Sequence, residues 1–305
     1  MYRDTQQDLV TVIVTYNGDR WIHKCLESLR KSVKTTDIIV VDNASSDRTV
    51  KIIQQDFPEV KLITSDQNLG FGAANNLAIQ KGLEQGYECF FLLNQDAWVN
   101  EDTLGALQEI INKKHEYGIV SPIHLNGAGT DLDRNFRWYM RDQLVPGLLG
   151  HLENDSSSKL FDVPFVNAAA WMLSRSCLMT VGKFHPLFHH YGEDDNYAHR
   201  VKASGYQIGV LAGVSIYHDR EFREEPIRRE EFEGKMKKAL TLYLLNPLVD
   251  HGFWKFFQYT RKTIKRFRQE THQSYVASLW LGYKSMFAVW QETKMEYDLS
   301  FRKGS

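Results

Sequence analysis

The sequence predicts an α/β protein with a doubly wound, mostly parallel, Rossmann-like sheet, followed by a C-terminal helical extension. Three apolar or β-branched runs, at residues 10–14, 38–41 and 90–93, lack polar alternation and are typical of strands buried on both faces. Between them lie segments in which apolar residues recur at helical spacing. Strands that alternate with helices in this way indicate parallel pairing through right-handed crossovers.

The predicted elements follow one another with short connections. In order they are a strand at 10–14, a helix at 21–29, a strand at 38–41, a helix at 50–57, a strand at 60–64, a helix at 77–83, a strand at 90–93, a helix at 101–114 and a strand at 118–125. Residues 126–159 are richer in Gly, Asp, Arg and Ser and are interpreted as irregular, either a lid beside a binding site or a surface excursion. Residues 163–174 predict a strand broken by small residues, and a last strand ends at His218.

The composition is that of an ordinary globular protein, with 305 residues, 43% hydrophobic and 25% charged. A formal net charge of −1 gives no overall field that would favour nucleic acid as a partner. Cys25, Cys89 and Cys177 are too scattered for a metal pair or a disulfide framework, so we expect buried thiols in a reduced compartment. The polar N-terminal segment lacks a signal-peptide core, and no apolar run reaches the ~18 residues of a membrane span. We therefore expect a cytoplasmic protein.

Polar residues stand where the predicted strands end, and they include carboxylates. Asp42 follows the second strand and Asp96 the fourth. Open α/β sheets bind ligands at the carboxyl ends of their strands, so Asp96 is a candidate for a metal or phosphate site. The ordinary alternative is that Asn and Asp are common there because they cap turns and helices.

Gly70-Phe71-Gly72 resembles the beginning of a dinucleotide-binding fingerprint. Asn75 stands where the third glycine should be, and the motif follows the third strand instead of the first. These differences exclude a Rossmann dehydrogenase.

A second acidic cluster begins a predicted helix, where Glu193, Asp194 and Asp195 follow Gly192. Carboxylates at a helix N-terminus are favoured by the helix dipole, so capping is the ordinary interpretation. Three in a row, after the aromatic and histidine cluster at 188–191, exceed what capping needs and indicate catalysis.

The C-terminal region changes to aromatic and basic helices. In residues 253–268 the apolar side chains share one face and the Lys and Arg side chains lie mostly off it. This pattern suits a helix on an anionic membrane surface, which would place the protein at the inner face of the cytoplasmic membrane, and equally a helix packed on its own domain. The apolar segment Ala277–Trp290, interrupted by Lys284, could dock on the core, on the bilayer or on a second copy in a homodimer.

Taken together, the ordered motifs resemble one enzyme family. VTVIVTYNG, IIVVDNASSDRT, NLGFGAANN, LLNQDAW, GEDDNYAHR and His218 resemble, in this order, a family 2 glycosyltransferase with the GT-A fold, closest to the rhamnosyltransferase-like bacterial branch that builds cell-surface polysaccharides. The resemblance covers about residues 9–220. It implies a catalytic domain at 1–220, leaving a helical extension at 221–305. It also implies an inverting, metal-dependent transfer of the hexosyltransferase type, from a nucleotide-diphosphate sugar to a hydroxyl of a saccharide or lipid-linked saccharide.

The resemblance also implies roles for particular residues. Together with the small-residue break at Asn167, it assigns the nucleotide sugar to Thr15, Tyr16, Asn17, Asp42, Asn43, Asn68, Gly70, Asn75, Asn94 and Asn167. Asp96 and His218 match the positions that hold a divalent cation; oxygen ligands suit Mg²⁺, and a histidine ligand favours Mn²⁺. Asp194 matches the general base, with Glu193 before it, while Asp195 is an extra carboxylate that leaves the choice of base open.

Two other functions are compatible with a carboxylate at the end of a strand. A sugar-nucleotide nucleotidyltransferase would need a glycine-rich, basic phosphate loop after the first strand, and residues 15–20 do not have one. A catalytically silent nucleotide-sugar-binding scaffold would keep the fold without its chemistry. The intact Asp96 and Asp194 argue against that interpretation.

Overall fold

A computed structural model describes residues 8–155, 157–188, 191–220, 229–250, 252–271 and 275–302. The chain divides into two compact units, Met1–Glu221 and Phe222–Ser305. Residues 221–228, at the domain boundary expected from the sequence, lie outside the described residues, as do His189 and His190 of the aromatic and histidine cluster.

The first unit is built on a nine-stranded sheet. Its strands are β1 (Leu9–Thr15), β2 (Asp37–Asp42), β3 (Lys61–Thr64), β4 (Cys89–Asn94), β5 (Ala97–Val99), β6 (Tyr117–Asn126), β7 (Lys159–Asp162), β8 (Ala170–Ser174) and β9 (Gln207–His218). The spatial order is β3-β2-β1-β4-β8-β6-β9-β5, and β7 pairs with β9.

Helices cover both faces of this sheet. They are α1 (Ile22–Arg30), α2 (Thr49–Asp56), α3 (Phe71–Gln85), α4 (Thr103–Lys113), α5 (Arg134–Tyr139), α6 (Leu148–Asn154), α7 (Arg175–Val181) and α8 (Glu193–Ala203). Neighbouring strand residues point into two separate cores: Val12 and Phe90 lie in one, Ile13 and Phe91 in the other. Burial on both faces explains why these strands lack polar alternation. The three cysteines are free and buried, as expected.

The strand pairing is parallel through β3, β2, β1 and β4, and it becomes mixed beyond β4. β8 runs antiparallel to both β4 and β6, and β5 runs antiparallel to β9. A parallel crossover needs a dozen or more residues. The turn Gln95–Asp96 between β4 and β5 is far too short for such a crossover. β5 therefore pairs with β9 at the edge of the sheet. The strand expected at 163–174 is regular only from Ala170, and the small residues before it form a loop.

Residues 126–159, which we expected to be irregular, contain two short helices and the first residue of β7. α5 begins where the Asp133 carboxylate accepts a hydrogen bond from the Phe136 N–H at 2.9 Å, a regular N-cap. Helices of two turns or fewer show too few apolar repeats to be recognised from periodicity.

The second unit consists, in its described part, of α9 (Arg229–Leu244), α10 (Phe253–Thr271) and α11 (Tyr275–Arg302). Phe256, Ile264 and Phe267 of α10 are buried in a core shared with α9 and α11, so the apolar face expected at 253–268 packs within its own unit. Ile264 lies against Gly282 of α11, where a Cβ atom would come within 2.3 Å of it. None of the described helices combines the length and apolarity that crossing a bilayer would require.

Candidate active site

The carboxyl ends of three neighbouring strands bring the first predicted site residues together. In the parallel register Thr15 of β1 lies beside Asp42 of β2, and Val14 lies beside Asn94 of β4. Residues from three distant parts of the sequence thus form one polar edge, in the position where open α/β sheets bind ligands.

Hydrogen bonds join the loops that follow β1 and β2. Asn17 has a positive φ of 48°, its N–H donates to Ser45 Oγ at 2.9 Å, and its Oδ1 accepts from the Ser46 N–H at 2.9 Å. Asp42 Oδ2 accepts from the Ser45 N–H at 3.0 Å, whereas its buried Oδ1 has no hydrogen-bond partner among the described residues. The two loops therefore form one fixed surface, on which Asp42 Oδ1 has no hydrogen-bond partner among the described residues.

Asn43 ties this surface to the loop that precedes α3. Its N–H donates to the Thr15 carbonyl at 2.8 Å, its Nδ2 donates to the Gly70 carbonyl at 3.3 Å, and its Oδ1 accepts from the Leu69 N–H at 3.1 Å. Asn68 Oδ1 accepts from the Gly70 N–H at 2.9 Å. Asn75 is buried within α3 and donates to the Phe71 carbonyl, so its side chain is engaged inside the helix. These asparagines shape the loop through their own hydrogen bonds.

We predicted no role for Gln95. Its Oε1 accepts from Thr15 Oγ1 at 2.6 Å and from the Tyr16 N–H at 2.9 Å, and its Nε2 donates to the Tyr16 carbonyl at 3.2 Å. Gly18 lies against it, since a Cβ there would be 2.2 Å from Oε1. Gln95 thus fastens the loop after β1 to the turn that carries Asp96. The glycine and the amide pack across 77 positions of sequence, so no local pattern could show the contact.

Asp96 and His218 meet at the edge of the sheet because Ala97 pairs with His218 in the β5–β9 register. His218 Nε2 lies 3.3 Å from Asp96 Oδ1, and the imidazole is buried while the carboxylate is partly exposed. On the other side of the ring, His218 Nδ1 lies 3.8 Å from the buried Asp133 carboxylate. Arg220 Nε lies 3.7 Å from the same carboxylate. Asp133 and Arg220 were not predicted. Arg220 follows His218 by two positions and could have been predicted from that spacing. Asp133 could have been predicted as the N-cap residue of α5, had that helix been recognised.

A second buried histidine lies behind His218. The rings of His124 and His218 are 6.4 Å apart, and His124 Nε2 is 2.9 Å from Ser121 Oγ. Burial, and next the neighbouring His218, hold the pKa of His124 well below its usual range. Asn167 lies next to His124, so it belongs to this buried layer.

The donor set at Asp96 and His218 suits a divalent cation. Two ligand atoms that each lie about 2.1 Å from an ion, with a right angle between the two bonds, are roughly 3 Å apart. This is close to the 3.3 Å between His218 Nε2 and Asp96 Oδ1. No group of three or more His, Cys, Asp or Glu side chains in the described part of the chain could hold a metal. Two protein ligands that leave the other positions to phosphate and water are typical of Mg²⁺ and related ions in phosphate chemistry. The Asp133 carboxylate is 3.8 Å from His218 Nδ1, which has no hydrogen-bond partner among the described residues, so Asp133 acts on the ring through its charge.

The acidic cluster begins α8 as expected. Gly192, with a φ of 97°, precedes Glu193, which is buried, while Asp194 and Asp195 are half-buried. Asp194 Oδ1 accepts from the Asp195 N–H at 2.9 Å. A Cβ on Gly72 would lie 3.6 Å from the Glu193 Cβ, so the start of α8 packs against the start of α3.

Tyr139 lies near both acidic groups. Burial raises its pKa to about 12, and the nearby charges of Asp194 and Asp195 add to the rise. The charges of Arg220 and Asp133 also act on this phenol. Tyr139, at the end of α5, therefore lies near the acidic start of α8 and also near Asp133 and Arg220 of the cluster around His218. The region expected to be a lid or an excursion contributes to the site.

The chain is similar to known glycosyltransferases in sequence and in fold. The model of the glycosyl transferase family 2 matches residues 11–182. The N-acetylglucosaminyl-diphospho-decaprenol L-rhamnosyltransferase of Mycobacterium tuberculosis is 21% identical over 231 residues, which cover 69% of this chain and 75% of that protein. The poly(ribitol-phosphate) β-N-acetylglucosaminyltransferase TarS of Staphylococcus aureus is 27% identical over 125 residues, covering 39% of this chain and 21% of TarS. The chain spans only 15% to 30% of the length of the first curated relatives that it matches.

Solved structures show the same fold. TarS residues 1–349 with UDP-GlcNAc match with a TM-score of 0.57 and 18% identity, covering 86% of this chain and 73% of that one. GalNAc-T7 with UDP, GalNAc and Mn²⁺ matches with a TM-score of 0.59 and 14% identity, covering 88% of this chain and 57% of that one. The GT-A fold with a helical C-terminal region is thereby confirmed. With its matching family model and this fold, the chain belongs to glycosyl transferase family 2.

Proposed function

We propose that this chain transfers a glycosyl group from a nucleotide-diphosphate sugar to an acceptor hydroxyl, with inversion, in the synthesis of a cell-surface polysaccharide or glycolipid. One observation carries the proposal. A carboxylate and histidine pair, Asp96 and His218, lies apart from a second acidic site at Asp194, and Tyr139 is near both Asp194 and the Asp133 carboxylate that adjoins His218. A reaction that expels a diphosphate while it deprotonates an acceptor needs two such sites.

The nucleotide would occupy the polar edge formed by the loops after β1, β2 and β3. The hydrogen bonds of Asn17, Asn43 and Gln95 fix these loops before any ligand arrives, which lowers the ordering cost of binding. Asp42 Oδ1, buried and without a partner among the described residues, would accept a hydrogen bond from the base or ribose. The remaining polar residues of this edge, Thr15, Tyr16, Asn68, Gly70, Asn75 and Asn94, would mainly shape it, and Asn167 would support it from behind.

The diphosphate would lie at Asp96, and His218 and Asp96 would hold a divalent cation there. Such an ion, when bound, neutralises the negative charge that develops on the leaving phosphate oxygens. The negative charge of Asp133 near Nδ1 would favour a proton on that nitrogen and leave Nε2 for the cation. Arg220 would add a guanidinium on the same side. Oxygen ligands suit Mg²⁺, and the histidine favours Mn²⁺ somewhat.

The acceptor would bind near the start of α8, where a carboxylate takes its proton. The acceptor oxygen forms its bond to the anomeric carbon as the bond from that carbon to the diphosphate oxygen breaks on the opposite face. Asp194 is our assignment for the base, and Glu193 and Asp195 surround it with negative charge that favours proton uptake. One relative is named for a diphospho-decaprenol saccharide acceptor, which supports a lipid-linked saccharide as the acceptor class.

The test is turnover of nucleotide sugars with Mn²⁺ or Mg²⁺, in the wild type and in Asp194→Asn and Asp195→Asn. We expect Asp194→Asn to lower the transfer rate by about 10²–10⁴-fold, the usual contribution of a general base. Its donor affinity should change by less than about threefold, because the nucleotide edge is untouched. If Asp195→Asn loses turnover instead, the base is Asp195. If both variants turn over like the wild type, neither Asp194 nor Asp195 is the base.

The other functions would give different results in the same assay. A nucleotidyltransferase would consume a sugar phosphate and release pyrophosphate, without forming a glycoside. A silent scaffold would bind the donor and show no turnover with any acceptor.

A further inference from the structure

A basic groove of about 440 Å³ lies on the helical unit between α10 and α11. Its walls carry Arg261, Lys262, Lys265 and Arg268, and its apolar floor includes Ile264 and Leu279. Among the described residues, those that line the groove include no carboxylate. The groove therefore concentrates positive charge over an apolar floor.

Three of these cations are not neutralised within the described structure. Arg261, Lys262 and Lys265 are exposed and form no ion pair with another described residue. Other basic residues of the unit behave differently, because Lys255 pairs with Asp250 and Lys284 pairs with Glu233 at 3.4 Å. A cluster of exposed, unneutralised cations attracts an anionic partner.

An exposed apolar stripe runs along α11 next to the groove. Val276 is 76% exposed, Trp280 63% and Phe287 60%, and the half-buried Tyr283 stands between them. Their spacing of four, three and four residues places all of them on one face of the helix. Val276 lies one turn before Leu279 of the groove floor, so the stripe and the groove are neighbours on the surface.

We propose that the groove and the stripe together bind the surface of a bilayer that contains anionic lipids. Lys and Arg side chains attract the headgroups, while Trp and Phe side chains enter the boundary between headgroups and acyl chains. A soluble polyanion would explain the cations but would leave Trp280 and Phe287 in water. A second copy packed symmetrically on this surface would bring two basic grooves together, which is unfavourable. An anionic lipid surface satisfies both features.

The proposal does not depend on glycosyl transfer, because it can be tested without donor or acceptor. The full chain is sedimented with vesicles of phosphatidylcholine alone and with vesicles that contain about one third phosphatidylglycerol. We expect binding to the anionic vesicles that weakens as salt rises, since the cations are exposed and screened. Equal binding to both compositions, or none to either, would overturn the proposal.

Two double variants on α10 distinguish binding at the groove from an effect of net charge. Arg261→Gln/Lys265→Gln removes two groove cations and should weaken partitioning to anionic vesicles about 30-fold. Lys255→Gln/Arg266→Gln makes the same change in net charge outside the groove and should change partitioning by less than about threefold. Equal losses in both pairs would show that the groove is not the binding surface.

A third variant tests the apolar stripe. Trp280→Ser should remove the part of the binding that persists at high salt, since burial of the ring in the bilayer is not screened. If the chain is instead a dimer that this variant dissociates, the stripe is a subunit interface and the proposal is wrong. Melting curves with nucleoside diphosphates serve as the fold and donor-site control, and we expect them to be unchanged in all three variants.

Discussion

Truncating Gln95 tests how the nucleotide edge is held in place. In the wild type its Oε1 accepts from Thr15 Oγ1 at 2.6 Å and from the Tyr16 N–H at 2.9 Å. Gln95→Ala removes both acceptors and the donor to the Tyr16 carbonyl. Thr15 is fully buried, so its hydroxyl loses a partner that water cannot easily replace. Tyr16 is exposed, and water can bind its N–H.

The cost follows from this difference in exposure. An unsatisfied buried hydroxyl costs about 1–3 kcal/mol, whereas an exposed N–H costs little. We therefore expect Gln95→Ala to lower the free energy of unfolding by about 1–2 kcal/mol. In a domain of this size that corresponds to a fall in melting temperature of about 2–8 °C. Donor affinity should fall by about tenfold, because the loop that holds the nucleotide must then be ordered on binding.

The measurement combines thermal melting with calorimetric titration of a nucleoside diphosphate. Gln55→Ala is the matched control, since it makes the same truncation on the exposed surface of α2 and should change neither quantity. If Gln95→Ala melts and binds like Gln55→Ala, the hydrogen bonds of Gln95 do not hold the site.

Three further predictions concern packing, the histidine at the candidate metal site and pH. Gly82→Ala should destabilise the protein by about 1–3 kcal/mol in chemical denaturation, because its Cβ would lie 2.5 Å from the buried Phe90 ring. Gly105→Ala, whose Cβ would meet nothing nearer than 3.6 Å, should instead stabilise it by about 0.5–1 kcal/mol, and equal effects would contradict the packing account. Asp133→Asn keeps an N-cap residue for α5 but removes the negative charge beside His218. The affinity for Mn²⁺, measured by electron paramagnetic resonance, should therefore fall about tenfold with little change in melting temperature. An unchanged affinity would show that Asp133 serves only as the helix cap. Burial, and next the charge of Arg200, lower the pKa of His185 to about 4. Its pKa in the unfolded chain is about 6.5, so between these two values the unfolded state binds more protons than the folded state. The free energy of unfolding therefore falls as the pH falls through this range. His185→Gln should make that decline in melting temperature between pH 7 and pH 4 shallower, and an identical slope would refute the assignment.

The first half of the fold could be predicted from the sequence because it depends on local signals. The apolar runs at β1, β2 and β4 alternate with helical repeats, and parallel strands place their ends at one edge. The polar residues at those ends were found for the same reason. The mixed pairing of β5, β7 and β8 was not predicted, since it depends on which distant strands meet.

Asp133, Arg220 and the role of Gln95 escaped prediction for a related reason. Asp133 lies in a segment whose helices are too short to show periodicity, and it reaches His218 across 85 positions of sequence. Asp96 and His218 could be named from motif order, but their 3.3 Å contact depends on the β5–β9 register. Types of residue are visible in a sequence; their distances become visible only once the strands are paired.

The most direct test of the proposed function is the melting temperature with nucleoside diphosphates, with and without Mn²⁺, in the wild type and in Asp96→Ala. A ligand that binds only the folded state raises the melting temperature by mass action. We expect uridine, thymidine or guanosine diphosphate to raise it for the wild type only when Mn²⁺ is present, and the rise to be lost in Asp96→Ala. No rise with any of these ligands on a folded sample, or an equal rise in Asp96→Ala, would contradict a nucleotide-sugar site with its cation at Asp96.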